Sequence, residues 1–111
     1  MNIITQSGEF TKGEIFNLTQ GTNLDKVSDH IGEVLELDKW VIYEDEDKDG
    51  KIQTVLALIE KNGLLSATIS KTFIEQFKKL TEFMDGEEYS IRVVGGTSKN
   101  NREYITCEVA L

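Results

Sequence analysis

The chain has 111 residues, a length that suits one domain with a single modest core. Its formal net charge of −8 argues against a broad phosphate-binding surface, because such surfaces need an excess of lysine and arginine. The single cysteine, Cys107, excludes an internal disulfide and a multi-cysteine zinc site within one chain, and no apolar run approaches the ~20 residues of a membrane-spanning helix.

The N-terminal third carries weak structural signals. Residues 1–11 are polar and lack a basic segment followed by an apolar one, so we expect a loose start, no signal peptide and a cytoplasmic protein. Between Lys12 and Ile31 apolar residues are scattered, which predicts a short strand or turn and then a short helix near Leu24–His30. We expect residues 1–33 to form an extension packed on a domain of residues 34–111, with one domain overall.

Three strand-like runs follow. Residues 34–43 alternate apolar and polar side chains, but the pattern is broken at Lys39, which predicts a bulge or bend in a long strand. Residues 53–60 are apolar on both faces, which is typical of a central, covered strand. Asn62-Gly63 is a hairpin signal, and residues 64–68 form the third predicted strand.

The strongest pattern in the chain predicts a helix over about 71–84. Apolar residues recur there at helical spacing from Phe73 to Met84, with charged residues on the other side. Ser70 is a suitable N-cap, Thr72 to Glu75 matches a capping box, and Gly86 can adopt the left-handed conformation that ends a helix.

Two more strands are predicted after this helix, at residues 89–94 and 103–109, joined by a turn at residues 99–102. The order strand, strand, strand, helix, strand, strand is that of the OB-fold, a mainly β, five-stranded Greek-key barrel that is partly open. The alternative is an α+β sheet with the helix on one face. An OB-fold directs attention to the outer face of its second and third strands and to the loops between strands 1 and 2 and strands 4 and 5.

Several stretches resemble the short single-stranded-DNA-binding proteins of tailed phages, or prophages, of Gram-positive bacteria. They are Ile15-Phe16-Asn17, Trp40-Val41-Ile42-Tyr43, Ala67 to Phe73, and Gly96 to Cys107. The most specific part is Thr-Ser-Lys-x-x-Arg-x-Tyr-Ile-Thr-Cys, from Thr97 to Cys107. The likeness covers roughly residues 14–110. It implies an OB-type fold and sequence-tolerant coating of single-stranded DNA during phage replication. We expect no catalysis and no cofactor.

Binding of this kind needs aromatic rings on which bases stack and cations along the path of the backbone. From Tyr89 onward three bases outnumber two acids, which makes this part of the chain mildly basic. We therefore expect the DNA-binding residues to be Trp40, Tyr43, Arg92, Lys99, Arg102 and Tyr104. In the competing interpretation the aromatic residues belong to the core and the basic residues are solvated turn residues.

The acidic turn at residues 44–51 counts against binding on that side, since it borders the expected groove. Its residues Asp45, Asp47 and Asp49 match the start of a calcium-binding loop, but the twelfth position, which needs glutamate, is Leu56. We therefore treat these aspartates as a weak metal candidate. His30 has no separate catalytic partners in the pattern, and Cys107 alternates with core residues, so neither predicts an enzyme.

Two functions stay open at this point. The first is a DNA-coating protein whose further partners include phage replication proteins. The second is a non-catalytic phage or prophage module whose acidic surface docks onto a basic protein. The sequence leaves the oligomeric state, monomer or homodimer, undecided.

Overall fold

A computed structural model describes residues 1–21 and 24–111; Thr22 and Asn23, inside the weakly patterned stretch, lie outside the described residues. The elements are β1 (Asn2–Gln6), α1 (Lys12–Gln20), β2 (Leu24–Lys26), a 3₁₀ turn (Val27–His30), β3 (Val34–Glu46), β4 (Ile52–Glu60), β5 (Leu65–Thr68), α2 (Lys71–Met84), β6 (Ser90–Thr97) and β7 (Glu103–Ala110). The predicted order of five strands with one helix after the third is confirmed by β3, β4, β5, α2, β6 and β7.

The strands form one strongly curled sheet in the order β2-β5-β4-β3-β6-β7, with β1 also paired to β3. All pairs are antiparallel except β2 with β5. In the described part of the chain β5 and β7 do not pair, so the sheet closes only half of a barrel. This architecture is an OB-like β barrel, as the sequence predicts.

The long strand β3 organises the sheet. β4 runs along one edge of it, while the other edge pairs first with β6, at Val34 to Glu36, and later with β1. The pairing with β4 shifts register between Leu37 and Lys39, which confirms the predicted bulge. The bulge lets one strand belong to two differently curved parts of the sheet.

Helix α2 fills the inside of this half-barrel. Its bounds match the predicted 71–84, and Phe73, Ile74, Phe77 and Leu80 are buried against the inner faces of the strands. The Ser70 hydroxyl accepts a hydrogen bond from the backbone N–H of Phe73, so the cap is Ser70 alone. The predicted Thr72-to-Glu75 capping box is wrong, because Thr72 already lies inside the helix.

The N-terminal segment is more ordered than the sequence suggests. Residues 2–6, expected to be loose, form β1 and pair with the end of β3. Residues 12–20, expected to be a strand or turn, form α1, which a complete capping box between Thr11 and Glu14 begins. The short helix expected near Leu24–His30 is instead the strand β2 followed by one 3₁₀ turn.

The Thr11 cap gives a direct test of this helix. We expect Thr11→Ala to lower the free energy of unfolding by about 1 kcal/mol, the usual cost of an N-cap hydroxyl. The matched control is Thr72→Ala, which removes a hydroxyl from the exposed first turn of α2 and should stay within about 0.5 kcal/mol of the parent. Urea unfolding of both variants measures the difference; equal losses would contradict the assignment of the cap.

His30 ties the 3₁₀ turn to its neighbours. Its Nδ1 lies 2.9 Å from Glu33 Oε2 and its Nε2 lies 3.2 Å from Asp25 Oδ2, with 17% of the side chain exposed. The His30 side chain is therefore largely covered. Burial lowers the pKa of His30, but the hydrogen bonds to Glu33 and Asp25 outweigh it and raise the pKa above 6.5.

A group whose pKa is raised by folding stabilises the native state most when it is protonated in both states. The contribution of His30 is therefore complete below pH ~6.5 and disappears as the pH rises through the folded-state pKa. We expect His30→Asn to destabilise the protein at about pH 5.5 and to have much less effect at about pH 8.5. Urea unfolding at the two pH values tests this, and a difference that grows with pH would contradict it.

Candidate nucleic-acid interface

The outer face of the second and third barrel strands is not open. Val55 and Ala57 on β4 join Val41 on β3 in a second apolar cluster, and Leu18 of α1 lies on top of it with no solvent exposure. Phe10 packs against the same cluster. The outer face of these strands, where an OB-fold is expected to bind its ligand, is thus a core surface covered by α1.

An ion pair holds this cover in place. Lys39 Nζ lies 2.8 Å from Glu14 Oε2 and 5.4 Å from the centre of the Phe10 ring. The hydrogen bond from Lys39 lowers the pKa of Glu14 below its ordinary value, and the backbone N–H of Thr11 adds to this effect. Glu14 therefore serves both the helix cap and the bulged part of β3.

Trp40 and Tyr43 lie on opposite faces of β3. Trp40 faces inward and meets the Phe77 ring edge-to-face, with the centroids 5.4 Å apart. Tyr43 faces outward into the second cluster and is 4% exposed, and this burial raises the pKa of its hydroxyl. With no ring face open to a base, Tyr43 does not fit the stacking role expected of it. The two residues belong to different surfaces.

The hairpin of β6 and β7 carries the other four expected residues. Arg92 and Tyr104 lie on its outer face. Directly paired residues point to the same face of a sheet, so Glu108, the partner of Arg92, and Gly96, the partner of Tyr104, lie on that face too. Lys99 and Arg102 lie in the turn between the strands and are exposed. The turn is fixed by Ser98, whose N–H donates to the carbonyl of Arg102 and whose hydroxyl accepts from the N–H of Arg102.

Tyr104 lies across the backbone of Gly96. A Cβ atom placed on Gly96 would come within 2.5 Å of the phenol ring, so glycine is what allows the ring to rest there. Aromatic residues commonly cover a glycine of a neighbouring strand in this way. Tyr104 remains 40% exposed. The hairpin therefore presents a supported aromatic ring beside two cations.

The remaining cation, Arg92, is weakly held. Its Nη1 lies 3.5 Å from Glu108 Oε1, and both side chains are about half exposed, at 42% and 57%. Ion pairs of this kind are worth roughly 0–1 kcal/mol. Arg92 can therefore exchange Glu108 for a phosphate at little cost.

A cleft of about 760 Å³ opens next to Tyr104, where β5 and β7 leave the barrel unclosed. Ile31, Ile69 and Gly95 line it together with polar residues, among them Glu103, and Ile69 is 62% exposed. In the described part of the chain neither Lys99 nor Arg102 forms an ion pair with a carboxylate. The hairpin turn thus combines free positive charge with exposed apolar surface.

The acidic turn lies away from this hairpin. β6 runs antiparallel to the start of β3, so the β6–β7 turn extends past that end, whereas the turn at residues 47–51 follows the other end of β3. Opposite charges are therefore separated along the sheet. This separation explains how a chain with net charge −8 keeps a locally basic surface.

The weak calcium candidate does not form a metal-binding loop. Among residues 1–21 and 24–111, no group of three His, Cys, Asp or Glu side chains is arranged to hold a metal ion. Asp47 Oδ1 instead accepts hydrogen bonds from the backbone N–H groups of Asp49 and Lys51, and Leu56 at the twelfth position is fully buried. Cys107 is buried as expected, and burial raises the pKa of its thiol to about 12.

In the described residues, no helix is both long and apolar enough to cross a membrane. Comparison with known proteins found no matching curated protein and no matching solved structure. A family model described as phage single-stranded DNA-binding protein, of the phi29 type, matches residues 4–110, which is nearly the whole chain. The chain therefore belongs to the family of phi29-type phage single-stranded DNA-binding proteins.

Proposed function

We propose that this protein coats single-stranded DNA during phage DNA replication and that it binds the strand on the outer face of the β6–β7 hairpin. The observation that carries the proposal is Tyr104, whose ring is supported on Gly96 and exposed beside Lys99 and Arg102. Bases stack on the free face of Tyr104, while the phosphates follow Lys99, Arg102 and, after release from Glu108, Arg92. Binding of this kind involves no chemical step.

The proposed contacts explain tolerance of sequence. Every base offers a flat ring for stacking, and phosphate contacts do not distinguish bases. The cleft beside the ring is lined by Ile31, Ile69 and Glu103 among others, and its apolar part can receive a neighbouring base or sugar. Coating of any single strand is therefore the function that this surface supports best.

Trp40 and Tyr43 are left out of the proposed surface. Trp40 is half-buried and packs on Phe77 on the α2 side of the sheet, away from the outer face that carries Tyr104, and Tyr43 is buried in the apolar cluster that contains Leu18 of α1. Interaction with replication proteins is proposed as part of the same role. An acidic docking module without DNA binding is not favoured by the family to which the chain belongs.

Salt dependence tests the proposed cations. For single strands, log K falls with log salt concentration by roughly 0.7 per phosphate contact. We expect Lys99→Gln combined with Arg102→Gln to weaken binding of oligothymidylate and to reduce this slope by about 1.4. Anisotropy of a labelled oligonucleotide, measured over a series of salt concentrations, gives both values.

The matched control removes two lysines from the acidic turn, Lys48→Gln with Lys51→Gln. It changes net charge by the same amount at the other end of β3. We expect its slope to equal that of the parent, with only a small loss of affinity from the lower overall charge. Equal slopes for both double variants would show that Lys99 and Arg102 do not contact the phosphates.

A further inference from the structure

A second groove, of about 1070 Å³, opens where one edge of β3 is left unpaired. β6 pairs with this edge only as far as Glu36, and β1 pairs with it from Val41 onward. Within the described residues, the segment from Leu37 to Lys39 has no ladder partner on this side. We call this opening the sheet-gap groove. It lies at the opposite end of β6 from the turn that carries Lys99 and Arg102.

Residues of β1, β3 and α2 line the groove. Leu37 and Trp40 of β3 supply apolar surface, which we call its floor; residues 4–7, at the end of β1 and just after it, and Thr81 and Glu82 of α2 line it as well. In the described part of the chain β1 pairs only with β3, so the other edge of β1 keeps free N–H and C=O groups. Such an edge can accept an additional strand.

The rim of the groove is acidic. Four carboxylates line it, those of Asp38, Glu82, Glu87 and Glu88, against the two lysines Lys61 and Lys78. Lys61 lies 3.8 Å from Glu88, in a pair that is largely exposed. A phosphate backbone would meet net repulsion here, so the groove is unsuited to DNA. A positively charged occupant is favoured instead.

We propose that the sheet-gap groove binds an extended segment of a protein partner in which lysine or arginine alternates with apolar residues. The segment adds a strand to the free edge of β1, and its apolar side chains pack on Leu37 and Trp40. Its basic side chains pair with the carboxylates that line the groove, those of Asp38, Glu82 and Glu87. A segment that carries both apolar and basic side chains thus matches an apolar floor and an acidic rim.

The test uses a capped nine-residue peptide of alternating valine and lysine as the probe. Trp40 is the only tryptophan in the chain, so its emission reports on the floor of the groove without a label. We expect the peptide to change this emission in a saturable way. Glu82→Gln combined with Glu87→Gln should weaken binding roughly fivefold. The control pair Glu46→Gln with Asp49→Asn, which removes equal charge at the acidic turn, should leave affinity almost unchanged.

A counterpart peptide with glutamate in place of lysine should not bind. Two results would overturn the proposal: no change in Trp40 emission with the lysine peptide, or equal losses in both pairs of variants. If the protein sedimented as a dimer that the peptide dissociates into monomers, the groove would bind a second copy of the chain, and the proposal would be overturned as well. None of these results depends on whether Tyr104 binds DNA.

Discussion

Phe77→Ala is expected to lower the free energy of unfolding by about 3–5 kcal/mol, the usual cost of removing a buried phenylalanine. Phe77 has no solvent exposure and lies on the buried side of α2, where its ring meets the edge of Trp40. The alanine leaves a cavity between α2 and β3. Urea unfolding followed by circular dichroism measures the loss.

Phe83 supplies the matched control, since it belongs to the same helix and is 88% exposed. Phe83→Ala should stay within about 0.5 kcal/mol of the parent. Because Trp40 packs on Phe77, its emission should also shift toward longer wavelength in Phe77→Ala and not in Phe83→Ala. Similar stabilities for the two variants would contradict the assignment of α2 as the centre of the core.

Tyr104→Ala is expected to weaken binding of oligothymidylate by about fivefold to 150-fold, because stacking of one base on an aromatic side chain is worth roughly 1–3 kcal/mol. Tyr104→Phe keeps the ring and should retain most of the affinity. Gly96→Ala should weaken binding as well, since the added methyl group would displace the ring that rests there. Anisotropy titrations at one fixed salt concentration measure all three variants.

Tyr43→Phe is the control on the other face of the molecule. The hydroxyl of a residue that is 4% exposed and covered by α1 should not affect DNA binding. If Tyr104→Ala bound oligothymidylate as tightly as the parent, the stacking role of Tyr104 would be excluded. A large loss in Tyr43→Phe would instead indicate that α1 moves away and exposes the outer face of β4 and β5.

The order of the barrel elements could be predicted because their signals are local. The apolar stripe of residues 73–84 and the Ser70 cap define α2, and the misplaced Lys39 marks the bulge in β3. The N-terminal segment could not be predicted in the same way. β1 is a strand because β3 offers it an edge 35 or more residues away, and no local pattern in residues 2–6 reveals that partner.

The sequence contains a start signal for helix α1, but other residues of the segment weaken the helical pattern. Thr11 and Glu14 have the spacing of a capping box, but Gly13 and the low regularity of the apolar residues weaken the helical pattern. Its stability comes from packing on the second apolar cluster, through Leu18. Tertiary contacts therefore stabilise α1, whose helical conformation could not be predicted from residue propensities alone.

The candidate site was predictable in part for related reasons. Lys99, Arg102 and Tyr104 follow one another closely, so any hairpin there brings them together. The burial of Tyr43 was not predictable, because both faces of β3 are apolar and the sequence does not say that α1 covers one of them. The support of Tyr104 by Gly96 depends on the register between β6 and β7, which alternation alone does not fix.

The most direct test of the central claim is an amide NMR spectrum of the protein titrated with oligothymidylate. The proposed surface predicts that the largest shifts fall between Arg92 and Thr106, on both strands of the hairpin and its turn. Amides that line the sheet-gap groove and those beneath α1 should change little. Shifts concentrated on β4 and β5, or around Trp40 and Glu82, would contradict binding on the β6–β7 hairpin.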